Sequence, residues 1–168
     1  MLHVCSLSKL PETVAATGAR SLVTLINAEM SVPTPQGIPP DRHLFLAFND
    51  IVDPVAGLVP ASEQHVVAFL DFIASWDRQA PLVIHCWAGI SRSTAGAYVA
   101  ACALNPAADE YRLAALLRER APSATPNGRI VAMGDKLLGR EGRMIDAVRG
   151  IGRGANAFEG TPFVMPID

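Results

Sequence analysis

The chain has 168 residues, half of them hydrophobic, and a formal net charge of −2, which suits one domain that buries its core without disulfides or a structural metal. Charges of both signs are mixed along it, and no basic stripe of the kind that nucleic acid or an anionic membrane selects is present, so neither partner is predicted. Arg outnumbers Lys twelve to two, a bias that points to a GC-rich bacterial genome and carries no chemistry.

The first seven residues lack a basic n-region and a long apolar core, and no stretch reaches the roughly 18 apolar residues of a membrane span, so a soluble, unprocessed chain is expected. Residues 2–7 and 21–26 read as short apolar strands around a helix over 11–19 that Gly18 ends, which makes one βαβ unit. After a Pro-rich loop over 32–40, residues 43–48 predict a third strand running into Asn49 and Asp50. Pro54, Gly57 and Pro60 then mark an irregular loop. Ser62 is placed to cap a helix from Glu63 to about Arg78, with Val66, Phe69, Leu70, Ile73 and Trp76 on its core face. Residues 82–85 form a short strand of the buried parallel kind.

The next helix, over 92–104, is rich in Ala and Gly, so its backbone can lie close against a sheet, and Pro106 ends it. An amphipathic helix over 107–120 uses Leu113, Leu116 and Leu117. Asn127 caps a further helix to Leu138, and Gly139 and Gly142 separate it from a last helical segment over 143–149. A Gly-rich stretch from 150 to 160 leads to Phe163-Val164-Met165-Pro166, which either packs back on the domain or stays an exposed contact. Alternating strands and helices predict an α/β fold: a single domain over 1–150 with a C-terminal tail over 151–168, and a mostly parallel sheet of about four to five strands flanked by helices. Such folds place ligands at the carboxyl ends of central strands.

One such end carries Pro81-Leu82-Val83-Ile84-His85-Cys86-Trp87-Ala88-Gly89-Ile90-Ser91-Arg92-Ser93. The backbone N–H groups of Trp87, Ala88, Gly89, Ile90, Ser91 and Arg92 can curl round the Cys86 sulfur and point at the oxygens of a phosphoryl group. Arg92 closes the ring with a planar, bidentate fork. A sulfur at a helix N-terminus beside a guanidinium is favoured as thiolate, so Cys86 is the candidate nucleophile, attacking phosphorus in line without metal or cofactor. The leaving oxygen needs a proton, and Asp50 and Asp53, at the start of the Pro/Gly loop, are the candidate acids. Ser93 is placed to hydrogen-bond the sulfur.

The segment from His85 to Ser93 resembles the signature loop of the cysteine-based protein tyrosine phosphatases, and within them the small dual-specificity type, here of bacterial kind. The resemblance implies that Ser93 makes the thiolate a better leaving group when water cleaves the phosphoenzyme. It implies that His85 orders the loop and is not the general base. It favours Asp50 over Asp53 through the lead Ala47-Phe48-Asn49, and it likens Arg120 and Ala124-Thr125-Pro126-Asn127 to an Arg and a Pro-Asn pair in which the Asn buttresses the phosphate loop. It covers about residues 2–138. The implied activity is hydrolysis of phosphotyrosine in a phosphoprotein or phosphopeptide, with phosphoserine and phosphothreonine as further candidates.

Two other readings of the loop remain: a rhodanese-like sulfurtransferase, which would need neither Asp50 nor Ser93, and a phospho-binding module without turnover. Trp87 is either a rim residue or an apolar wall for an aryl phosphate. Cys5, Cys86 and Cys102 form no C-x-x-C pair, which argues against a disulfide framework or zinc knuckle and fits a reducing cytoplasm. Cys102 and, less directly, Cys5 are core residues or partners for a protective disulfide with Cys86. His3, His43 and His65 show no metal spacing.

Overall fold

The computed structural model describes residues 1–167. In chain order the elements are β1 (Leu2–Ser6), α1 (Leu10–Thr17), β2 (Ser21–Ile26), a 3-10 turn (Pro40–Arg42), β3 (His43–Ala47), α2 (Glu63–Ser75), β4 (Leu82–Cys86), α3 (Arg92–Leu104), α4 (Glu110–Arg120), α5 (Gly128–Leu137), α6 (Arg143–Ile151) and β5 (Phe163–Met165). One sheet orders its strands β3-β2-β4-β1-β5. Its first four strands are mutually parallel and β5 runs antiparallel to β1.

β1 and β2 are therefore not neighbours, because β4 inserts between them. The burial of β4 explains that place: all five of its residues are buried, as a strand covered on both faces requires. On one face lies α1, with Leu10 and Val14 against Cys5, Leu22, Ile26 and Val83. On the other lies α3, whose small residues let it approach closely. A Cβ on Gly96 would stand 3.2 Å from Leu25 and 3.4 Å from Ile84. This contact sets the N-terminus of α3 directly over the carboxyl end of β4.

Helix ends follow local chemistry. Ser62 caps α2 by accepting the His65 N–H at 3.3 Å. α2 stops at Ser75 and not near Arg78, because the Trp76 indole N–H donates to the Ala80 carbonyl at 3.0 Å and the chain turns through Arg78 at φ 57°. α4 starts at Glu110, since Asp109 accepts the Arg112 N–H at 2.9 Å and acts as its cap. Glu110 is itself buried and receives Arg140 at 2.8 Å and Arg143 at 3.1 Å, which ties α6 to α4. The C-terminal segment packs back: β5 pairs with β1, and Phe163, Met165 and Ile167 join the core. Among the described residues, no helix is long and apolar enough to cross a membrane.

Candidate active site

The loop between β4 and α3 is held by its carbonyls. Trp87 O accepts from the Leu7 N–H at 3.1 Å, Ala88 O from Gly160 at 2.8 Å, Ile90 O from Thr125 at 2.9 Å, and Ser91 O from Asn127 at 3.3 Å. All four donors lie outside the loop. Because a peptide unit is planar and trans, a carbonyl turned outward turns the next N–H inward, so the N–H groups of Ala88, Gly89, Ser91 and Arg92 face the hollow around Cys86. The Gly89 N–H reaches the Cys86 sulfur at 3.3 Å. Gly89 adopts φ 70°, and a Cβ there would come within 2.9 Å of the Ser6 nitrogen and 3.0 Å of the Cys5 carbonyl carbon; only glycine fits this bend. Ser93 Oγ lies 3.1 Å from Cys86 Sγ.

Arg92 opens α3 and is buried. Its Nη1 donates to Asn27 Oδ1 and to the Phe48 carbonyl, both at 2.7 Å. Its Nε is buried with no partner among the described residues. A guanidinium pinned on one side with an orphaned donor on the other is a receptor waiting for an oxygen, since an unmet buried N–H is costly. Asn27 directly follows β2 at the same sheet edge, and the sequence reading did not single it out; its signal was its place at the carboxyl end of a parallel strand.

His85 is fully buried and pairs through Nε2 with Thr24 Oγ1 at 2.8 Å. Thr24 also meets His43 Nε2 at 2.7 Å, and His43 Nδ1 meets Thr34 at 2.7 Å. His85 Nδ1 is buried without an aligned partner among the described residues. Burial pushes the His85 imidazole down to about 4; the Cys86 backbone opposes the shift, while His43 and Arg92 add to it. The ring is thus neutral near pH ~7, and through Thr24 it ties β4 to β2 next to the sulfur.

A stability consequence follows. Between the unfolded His value near 6.5 and about 4, the unfolded chain binds a proton that the folded chain refuses, so stability is complete above pH ~6.5 and declines as pH falls. At pH ~5 this loss amounts to about 2 kcal/mol. Urea unfolding of the wild type and His85→Asn at pH ~7.5 and ~5 tests it. The acid loss is expected to be about 2 kcal/mol larger in the wild type, and equal losses would contradict a neutral, buried imidazole.

Asp50 and Asp53 part company in the structure. Asp50 Oδ1 accepts from Ser91 Oγ and from Asn127 Nδ2, both at 2.8 Å. Its Oδ2 carries no hydrogen bond among the described residues. Asp53 is exposed and does not border the cavity over Cys86. The loop that carries Asp50 is closed at its neck by Asn49, which pairs with Val59 through backbone and side chain at 2.7 Å and 2.9 Å. Asn127 does three things at once: its Nδ2 holds Asp50, its Oδ1 caps α5 through Arg129 and Ile130, and its N–H tethers Ser91.

Arg120, likened above to the Arg of the dual-specificity pattern, is exposed beside Glu119. Arg118, two residues earlier, donates to Pro122 O and Ala124 O at 2.8 Å and to Gly152 O at 2.7 Å and ties α4 to the chain that follows it and to the end of α6. Two residues along a helix rotate the side chain by about 200°, so the two arginines of α4 leave on opposite sides.

The cavity above the sulfur has a volume of about 810 Å³. Cys86, Ser91 and Arg92 form its floor side, Asp50 and Leu58 border it from the loop after β3, and Glu29 and Met30 from the loop after β2. Arg92 is the one cation among the described residues that line it. Trp87 stands on the rim, half exposed.

The family model described as protein-tyrosine phosphatase matches residues 55–119, a span that includes β4, the loop and α3. No curated protein is significantly similar in sequence. Among solved structures the chain is similar to human DUSP28, with a TM-score of 0.62 and 16% identity over 90% of this chain and 95% of that one. DUSP15 gives 0.65 and 16% over 89% of each chain. The PTP-2 phosphatase of Cydia pomonella gives 0.61 and 16% over 80% and 84%. At these identities the likeness is one of fold.

Proposed function

We propose that the chain is a cysteine-dependent protein phosphatase of the protein tyrosine phosphatase superfamily, hydrolysing phosphotyrosine monoesters through a phosphocysteine intermediate. The match over residues 55–119 and the shared fold support the superfamily and phosphatase activity. The single observation that carries the reading is the orphaned Nε of Arg92 beside Cys86, within a loop whose N–H groups face inward. Trp87 to Arg92 bind the phosphoryl oxygens. The Cys86 thiolate attacks phosphorus, a P–S bond forms, and the P–O bond to the leaving group breaks. Asp50 gives its proton from Oδ2 to the departing oxygen. In the second step Asp50 takes a proton from water, the water oxygen bonds to phosphorus, and sulfur leaves with the electron pair while the Ser93 hydroxyl stabilises it.

A single cation in the cavity, with Glu29 and Asp50 also facing it, suits a phosphoprotein monoester and disfavours a polyanionic inositol phosphate. Phosphoserine and phosphothreonine peptides are secondary substrates in this reading. Three free, buried thiols, Cys5, Cys86 and Cys102, suit a reducing cytoplasm, and the bacterial assignment rests on the arginine bias alone.

The acid is tested by Asp50→Asn on a phosphotyrosyl peptide in the presence of chelator. The expected fall in kcat is roughly 10²–10⁴-fold, with loss of the basic limb of the pH profile. The fall is smaller on nitrophenyl phosphate, whose leaving group needs less protonation, and Asp53→Asn leaves kcat unchanged. An unaltered basic limb in Asp50→Asn would remove Asp50 from the mechanism.

A further inference from the structure

We infer that Phe158, carried on the segment after α6, is a specificity-determining residue that together with Trp87 grips the phenyl ring of a phosphotyrosyl substrate. The inference rests on the phosphatase reading and names what that site selects.

The segment is irregular but fixed at both ends. The Gly154 N–H donates to Thr125 Oγ1 at 3.1 Å and the Ala155 N–H to Pro122 O at 2.9 Å. The Gly160 N–H donates to Ala88 O at 2.8 Å, and the Ser8 hydroxyl donates to Glu159. A Cβ on Gly154 would stand 2.4 Å from the Ser123 carbonyl carbon, and one on Gly160 would stand 2.6 Å from Gly89 O. Both glycines are thus required by close backbone approach, and the second approach is to the phosphate loop itself. Residues between them are delivered to the rim of the cavity by the same contacts that orient the loop.

Phe158 is 96% exposed, against 53% for Trp87. It borders the cavity over Cys86, and with Trp87 it also borders a neighbouring hollow of about 210 Å³. A third hollow, of about 370 Å³, opens on its side toward Arg153. The ring has open space around it and packs on nothing. Leaving a phenylalanine in water forgoes the free energy that burial would supply, and two exposed aromatic rings sharing one cavity mouth form an apolar, flat-walled contact. The ligand that fits has a phosphoryl group for Arg92, an aromatic ring for Trp87 and Phe158, and a single negative head to match a single cation. That is the phosphotyrosyl side chain. A ring-less phosphate leaves both walls uncovered.

Steady-state kinetics on Phe158→Ala with a phosphotyrosyl peptide, and inhibition by orthovanadate in the same assay, separate the ring from the phosphate. KM is expected to rise about tenfold with kcat within about twofold, vanadate inhibition to stay unchanged, and Phe158→Tyr to restore KM. The side chain touches no core, so the melting temperature of Phe158→Ala stays at the wild-type value. An unchanged KM, or vanadate inhibition weakened in proportion to KM, would overturn this inference alone. A wild type that turns over no phosphotyrosyl peptide would overturn the phosphatase reading and this inference with it.

Discussion

Cys86→Ser lowers metal-free hydrolysis of a phosphotyrosyl peptide by roughly 10⁴-fold or more while leaving the peptide bound. Serine has the shape of cysteine with a smaller terminal atom, so it enters without a clash, and the position is buried at the end of β4 with Ser93 Oγ and the Gly89 N–H as neighbours of the sulfur at 3.1 Å and 3.3 Å. The loop keeps its shape, because its carbonyls are held by Leu7, Gly160, Thr125 and Asn127 from outside. What the proposed reaction loses is its sulfur nucleophile: a serine hydroxyl is a weak nucleophile without a base, and His85, buried and neutral within β4 and paired with Thr24, is not placed to supply one. Turnover and peptide affinity measured together make the check. Residual kcat above about one hundredth of wild type would remove sulfur from the chemistry.

Arg92→Lys lowers kcat/KM by roughly 10³–10⁵-fold. In the proposed reaction the guanidinium is a bridge, with Nη1 fixed by Asn27 and Phe48 at 2.7 Å and Nε left for the phosphoryl group. An ammonium is one point charge on a flexible stem and cannot serve both sides in that geometry. It either satisfies the protein anchors or follows the phosphate. The loss should appear mainly in kcat, because the fork is matched to the equatorial oxygens as charge redistributes in the transition state. Asn27→Ala should show the same sign at smaller size, since it frees the fork without removing it. A tenfold loss or less in Arg92→Lys would mean that the inward N–H groups alone carry the anion.

Much of the site was legible because it is local in sequence. The run from His85 to Ser93 is contiguous, its strand is apolar, and its helix opens on Arg92, so the loop and its attachment could be read without tertiary information. Asp50 and Asn127 were legible as candidates, and the structure brings them within 2.8 Å of each other. The parts that escaped are those that only the sheet order creates. Asn27 meets Arg92 because β2 lies beside β4, and Thr24 meets His85 for the same reason. Arg118 and Arg120 differ only in helix phase, and which of them meets the carbonyls of residues 122, 124 and 152 depends on where the chain runs after α4 and α6. The C-terminal residues gave the least away. Three residues of β5 are too few for a period-two pattern to stand out, and Phe158 among glycines looks like linker until Gly160 is seen against Ala88 and Gly89.

The most direct test of the central claim is rapid quenching of the wild-type reaction with a phosphotyrosyl peptide, followed by mass analysis of the peptide that contains Cys86. The account predicts one added phosphoryl group on Cys86, formed and consumed at rates compatible with turnover and absent in Cys86→Ser. Turnover without a phosphorylated Cys86, or a phosphoryl group on any other residue, would contradict it.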